Sequence, residues 1–304
     1  MDGYPVDQSD FEARFGTEEA CRAYLAAIRW PDGVRCPQCG HGDAWALPRG
    51  RWACRQCGRQ MSVTAGTLFH DTRYPLRVWF QAIWYVVGQK YGASALGLQR
   101  LLGLGSYHTA WAWLHRLRRA MVRPGRERLT GTVEVDETYL GAPQAGKRGR
   151  GAAGKTIVLV AVEREGQRPG RLRLSRVSDV QGPTLLAAVR EAVALGSTVE
   201  TDGLTSYHGL TAAGYTHRIV READADKLLP RVHLVVSLLK RWLLGTHQGG
   251  VQTSHLDYYL DEFTFRFNRR RSHSRGLLFL RVLEHAVQVD PVRDIDLRAP
   301  TPRG

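Results

Sequence analysis

The spacing of apolar positions changes along this chain, and each change marks a new element. Residues 9–29, SDFEARFGTEEACRAYLAAIR, repeat at helical intervals, with Thr17 as N-cap and Glu18 and Glu19 in the first turn. Between 30 and 66 the helical repeat gives way to turn residues around two short strands, AWAL and RWA. Helical spacing returns in PLRVWFQAIWYVVG, SALGLQRLLG and SYHTAWAWLHRLRRAM, where Pro75 fits a first turn, Gly103 ends the second helix and Ser106 caps the third. After the linker 124–128 the period drops to two: TGTVEVDETYL, KTIVLVAVE and RLRLSRVS read as strands. They are followed by a helix, PTLLAAVREAVAL, a strand, STVETD, a short helical piece near GLTAAGY, a strand, THRIV, and a long helix, HLVVSLLKRWLL. A further helix, HLDYYLDEFTFRFN, aligns Leu256, Tyr259, Leu260, Phe263 and Phe267 on one face.

These elements predict a multidomain α+β protein. An adaptor helix region (1–29) precedes a short-stranded segment (30–66), which two cysteine knuckles, Cys36-Pro-Gln-Cys39 and Cys54-Arg-Gln-Cys57, make a zinc ribbon, and a helix-turn-helix region (70–123). Three meander strands followed by alternating helices and strands is the order of a ribonuclease H-like domain, assigned to 130–289, with a disordered tail at 290–304. In that topology the first and fourth strands are neighbours.

Chemistry sharpens the picture. Four cysteines form two knuckles, Cys36-Pro-Gln-Cys39 and Cys54-Arg-Gln-Cys57, each followed by a glycine, which is ligand spacing for one structural Zn²⁺. Cys21 lies in the first helical pattern and reads as a core residue. A formal net charge of +14 favours a polyanionic partner through counterion release. The sequence contains no apolar run near the roughly 18 residues of a membrane span, and its start has no signal pattern, so a cytoplasmic protein is expected.

Basic residues cluster in three places. His115, Arg116 and Arg119 are expected on the outer face of the third helix of the helix-turn-helix, opposite an apolar stripe of Ala110, Trp111, Leu114, Leu117 and Met121. Lys147, Arg148 and Arg150 sit in a glycine-rich loop, and Arg269, Arg270 and Arg271 follow the last long helix; both read either as phosphate contacts or as solvated surface. Asp136 and Asp202 each close a short alternating strand, where rigid backbone can present a carboxylate to Mg²⁺. Paired carboxylates in so basic a chain point to metal-dependent chemistry on nucleic acid.

The motifs CPQCG and CRQCG, SVTAGTLFHDTRYPLRVWF, VEVDETYLG, TDGLTSY, and LPRVHLVVSLLKRWLLGTHQG with YLDEFTFRFNRRR together resemble the insertion-sequence transposases of the IS1595 type, in their ISXO2-like branch. The resemblance implies a DDE-class enzyme with two catalytic Mg²⁺ ions that acts on double-stranded DNA, its terminal inverted repeats and target, as a homo-oligomer. Asp136 and Asp202 match the two metal-binding aspartates, and Lys240 the basic residue after the third catalytic position. Leu238 stands at that third position, where relatives often carry asparagine or glutamate, and leucine cannot bind a metal. His233, Ser237 and Lys240 share one helical face, so either His233 serves as the substitute ligand or His233 is a hydrogen-bonded structural histidine and the chain is a catalytically impaired or repurposed zinc-ribbon and helix-turn-helix DNA-binding protein. Glu262 is the other carboxylate considered; Glu134 and Glu137 flank Asp136, with Glu134 on its side of the strand. Lys240, Arg241 and the 268–275 cluster are expected to hold phosphates.

Overall fold

The computed structural model describes residues 3–48, 50–123, 125–141, 155–221, 228–247 and 251–298. The chain forms two compact units, one built from Met1–Pro124 together with Ser272–Thr301, the other from Gly125–Arg271.

The first unit opens with helices α1 (Gln8–Arg14) and α2 (Glu18–Arg29), and Thr17 caps α2 by accepting from the Ala20 N–H. A three-stranded antiparallel sheet follows, β1 (Ala44–Leu47), β2 (Arg51–Cys54) and β3 (Gln60–Ser62). Next come α3 (Leu76–Gly88), α4 (Ala95–Leu102) and α5 (Tyr107–Arg119). Ser94 and Ser106 cap α4 and α5, and Gly103 ends α4 in the left-handed conformation at φ 61°. Four residues, 103–106, therefore separate α4 from α5.

The core of this unit is aromatic. Trp79 of α3 stacks on Trp113 of α5 with ring centroids 3.6 Å apart. Phe11, Phe80 and Trp84 surround a phenyl ring from far down the chain, Phe279, at centroid distances of 5.5, 5.4 and 5.8 Å.

The second unit is a five-stranded sheet: β4 (Thr132–Leu140), β5 (Thr156–Glu165), β6 (Arg168–Val177), β7 (Thr198–Thr201) and β8 (Thr216–Ile219). Its order is β6-β5-β4-β7-β8; the first three strands pair antiparallel, and β7 lies parallel to both β4 and β8. Helix α6 (Gly182–Ala192) packs on one face against Val133, Val135, Leu159 and Ala161. Helices α7 (Pro230–Gly245) and α8 (Leu256–Asn268) pack on the other, against Leu140, Val158, Val160 and Val162. Side-chain alternation then sends Glu134 and Asp136 toward the α7 face and Glu137 toward the α6 face. The five apolar residues aligned on α8 all join the α7-face core, as their periodicity predicts. At the sheet edge, the Asn268 side chain accepts from the Leu172 N–H at 2.7 Å and donates to the Leu172 carbonyl at 3.1 Å, taking the place of a neighbouring strand along β6.

Two expected boundaries move. Helix α9 (Arg275–Ala286), expected within the domain 130–289, belongs to the first unit. There Phe279 is fully buried, the Leu68 N–H donates to the Ala286 carbonyl at 2.9 Å, and the Pro5 carbonyl fills the space a side chain at Gly276 would need. In the expected tail, α10 (Asp294–Arg298) is helical and buries Leu297, because an apolar contact offsets the entropy of ordering a short segment; 299–304 lie outside the described residues.

Candidate metal and nucleic-acid sites

The register of β4 and β7 pairs Thr132 with Thr198, Val133 with Val199 and Glu134 with Glu200; continued by two residues it sets Asp136 opposite Asp202. Asp202 stands just past the end of β7, where its carboxylate accepts from the Leu204 N–H at 3.0 Å and so turns with the chain. The side chain of Asp136 is 21% exposed; one oxygen accepts from the Glu137 N–H at 2.8 Å and the other lies 3.7 Å from Nε2 of His233. His233 is solvent-exposed on the first turn of α7, and Ser237 and Lys240 are exposed on the same face. Lys240 also lines a cavity of about 310 Å³ with Tyr139, Leu140, Thr156, Leu243 and Leu256. Leu238 instead packs, half-buried, against the α7-face core.

Glu134, Glu137 and Glu262 each have a defined partner. Glu134, buried on the α7 face, binds the Arg231 guanidinium at 2.6 Å. Glu137, buried on the other face, accepts from the Tyr207 hydroxyl at 3.0 Å. Burial first, and then the negative charges of Glu137, Asp136 and Asp202, push the Tyr207 hydroxyl well above its usual range, so this one phenol senses both aspartates. Glu262 is 2% exposed and held by Arg266 through Nε at 2.9 Å and a terminal nitrogen at 2.8 Å. Asp136 and His233 thus bring an accessible carboxylate and an imidazole side by side, whereas the four cysteines are the one group of three or more metal-ligating side chains found close together among the described residues. Tyr207 and Arg231 were not singled out from the sequence. Their signal is their place inside TDGLTSY and LPRVH, but only the fold supplies their partners.

In the first unit the four cysteine sulfurs lie within 4.8 Å of one another, and three of their pairs are 3.6 Å apart. A tetrahedral ion with Zn–S bonds of about 2.3 Å needs sulfurs about 3.75 Å apart, so the cage fits zinc. The knuckles repeat one backbone pattern: Gly40 N–H to Cys36 carbonyl at 2.9 Å and Gly58 N–H to Cys54 carbonyl at 3.0 Å, with both glycines near φ +73°. A side chain would be strained at that φ, which is why glycine follows each knuckle. The backbone N–H of Cys39 lowers the Cys36 thiol, while, against a backbone N–H, burial and the neighbouring sulfurs push the Cys39 thiol up, so in the metal-free cage the Cys36 thiolate is the one favoured. Cys21 is fully buried and its thiol is pushed up to about 12 by burial, as a core residue should be.

The expected DNA contacts divide. His115 is fully buried with its ring 4.3 Å from that of Trp111, because α5 is covered on almost every side; the expectation of an outer-face His115 is corrected. Arg116 donates to the Val292 carbonyl at 3.0 Å and Arg119 is half-buried, whereas Tyr107 and His108 at the start of α5 are exposed. Arg241 is exposed. Arg269 stacks over Phe265, Arg270 over Phe267, and Arg271 pairs with Glu165 at 2.9 Å. Lys147, Arg148 and Arg150 lie outside the described residues.

Residues 128–268 match the ISXO2-like transposase domain, and residues 16–60 match the transposase zinc-ribbon domain. A protein of Halobacterium salinarum described as "Uncharacterized protein in transposable element ISH50" is 30% identical over 279 residues, spanning 83% of this chain and 91% of its own. The chain belongs to the IS1595-type insertion-sequence transposases. Among the described residues, no helix is long and apolar enough to cross a membrane.

Proposed function

We propose that this chain is a DDE-class DNA transposase with a ribonuclease H-like catalytic unit, which nicks the ends of its own element and joins the freed 3′-hydroxyl to target DNA. The observation that carries the reading is His233 Nε2 lying 3.7 Å from the Asp136 carboxylate, and it is supported by the parallel β4–β7 register, which, continued two residues, sets Asp202 opposite Asp136. The sheet order, three antiparallel strands followed by two parallel ones, supports the ribonuclease H-like assignment. Asp136 and Asp202 would hold two Mg²⁺ ions, with His233 as third protein ligand in place of Leu238. Bound there, the ions would activate water and neutralise charge on the scissile phosphate. Glu262 is set aside as a ligand, because its carboxylate is buried and occupied by Arg266. Lys240 and Arg241 are exposed on α7 beyond the His233 turn and would hold the DNA backbone, which positions the phosphate without a protein nucleophile.

The zinc ribbon and α3–α5 would recognise the terminal inverted repeats. The four-residue connection between α4 and α5, with Gly103 left-handed and Ser106 as cap, supports a helix-turn-helix. In that motif the first residues of the second helix read base edges, which here are the exposed Tyr107 and His108 rather than His115. Synapsis of two ends would require a homo-oligomer acting on DNA in the cytoplasm.

The test is incubation of the purified protein and Mg²⁺ or Mn²⁺ with labelled DNA carrying the inverted repeats that flank its gene. End-specific nicking that disappears in Asp136→Ala, Asp202→Ala and His233→Ala supports the reading. Tight end-specific binding without cleavage in either metal would instead make it a DNA-binding protein that has lost catalysis.

A further inference from the structure

The start of α7 has an unusual arrangement of partners. Its N-cap, Leu229, adopts a left-handed φ of 41° and has no polar side chain with which to cap the helix. Pro230 at the first position has no N–H. The next two N–H groups, those of Arg231 and Val232, donate at 2.8 and 3.0 Å to one oxygen of Glu134, which lies on β4, 97 and 98 positions earlier in the chain. The other Glu134 oxygen accepts from Arg231 at 2.6 Å, and the same guanidinium reaches the Gly166 carbonyl in the β5–β6 turn at 2.7 Å. The His233 N–H then makes the bond back to the Leu229 carbonyl at 3.1 Å, so the free donors of the first turn are all accounted for. Glu134 is 1% and Arg231 6% exposed, so this is a buried carboxylate serving as helix cap and ion-pair partner together.

We infer that Glu134 is a positioning residue: with Arg231 it clamps the first turn of α7 to β4 and thereby sets His233 against Asp136. The strand gives the reason. Glu134 and Asp136 lie on the same face two residues apart, and His233 is the helix residue immediately after the two whose N–H groups Glu134 binds. A clamp at 134 therefore fixes both the depth and the rotation of the turn that carries His233. A carboxylate suits this point because only it can accept two backbone N–H groups and a guanidinium at once. Glutamine at 134 keeps a single oxygen, so an amide N–H₂ would face either the Arg231 guanidinium or the two backbone N–H groups and one arm of the clamp would be lost.

The inference rests on the metal-site reading for its catalytic consequence only, and two readouts separate the two. The first follows the ring carbon signals of ¹³C-labelled histidines, with His233 assigned through His233→Ala. Asp136→Asn should shift the His233 signal in the otherwise native chain and leave it unmoved in Glu134→Gln; an equal shift in both backgrounds overturns the clamp. The second follows the nitrogen coupling of bound Mn²⁺ by pulsed electron paramagnetic resonance, together with Mn²⁺ affinity. Glu134→Gln should abolish the coupling and weaken Mn²⁺ binding by about 10- to 100-fold, the range seen when a group that orients a ligand is lost. Where native protein shows the coupling, unchanged coupling and affinity in Glu134→Gln likewise overturn the clamp. If native protein shows no nitrogen coupling while the first readout still depends on Glu134, the ligand role of His233 fails and the clamp stands. Should Glu134→Gln not fold, the double variant Glu134→Leu with Arg231→Leu removes both charges together and avoids an orphan ion. It must lose the Asp136 effect on His233 just as the single variant does, and its retention would overturn the inference.

Discussion

Replacing Tyr207 by phenylalanine removes one oxygen and tests the electrostatics of the aspartate site without touching a proposed ligand. Tyr207 is 1% exposed and donates to Glu137 at 3.0 Å. A buried bond to an ionised acceptor contributes about 1.5–3 kcal/mol, so a loss of about 2 kcal/mol is expected at pH 7. For a unit of this size each kcal/mol shifts the melting temperature by about 2–4 °C, giving a fall of about 4–8 °C. The pH dependence makes the prediction specific. In the folded chain, burial and the charges of Glu137, Asp136 and Asp202 push the hydroxyl upward, while in the unfolded chain it ionises near pH 10. The stabilisation is therefore fully present below about pH 10 and is lost as pH rises, at about 1.4 kcal/mol per pH unit. The gap between native protein and Tyr207→Phe should close near pH 11.5, about 1.5 units above the unfolded value. Scanning calorimetry of both proteins from pH 7 to 11.5 measures it. Equal melting temperatures at pH 7, or a gap that stays constant across the range, would refute the reasoning.

Removal of zinc by a strong chelator should melt the β1–β3 sheet, since such sites contribute about 10–16 kcal/mol of apparent binding energy to folding; Cys54→Ser should cost the bound metal, read by atomic absorption and far-ultraviolet circular dichroism. Trp113→Ala, which deletes a ring stacked at 3.6 Å on Trp79, should destabilise the first unit by about 3–5 kcal/mol in denaturant titrations. His233→Asp exchanges a nitrogen donor for the oxygen that Mg²⁺ prefers, so the ratio of Mg²⁺- to Mn²⁺-supported nicking should rise above that of native protein; an unchanged ratio would count against His233 as a ligand.

Periodicity made most elements legible. Thr17, Ser106 and Gly103 mark helix ends by chemistry local to a few residues, and they cap where the sequence places them. The adjacency of β4 and β7 followed from element order, because a parallel neighbour of the first strand must come from the crossover after α6. Long-range facts were not legible in the same way. His115 falls on the polar side of a helical projection, yet it is buried because α5 is enclosed on several sides, and a projection assumes one buried face. Glu134 and Arg231 each read as ordinary charges in sequence, and only the folded register brings them to 2.6 Å. The sequence placed α9 with the sheet that precedes it; the aromatic cluster that holds Phe279 is made of residues roughly 200–270 positions earlier, beyond the reach of any local pattern.

That return of the chain ties the timing of synthesis to the assembly of the first unit. Phe11, Phe80 and Trp84 are translated early, and the ring that completes their core emerges only after the whole segment 125–271. A ribosome that has finished the zinc ribbon and α3–α5 has not yet made a unit that can close. Truncated products ending before Ser272 would carry the ribbon and the helices yet expose an unfilled aromatic pocket, marking them for chaperones and proteases. They would thus be poor competitors of the full-length protein for DNA ends, and the first unit matures only in chains that have been translated through α9.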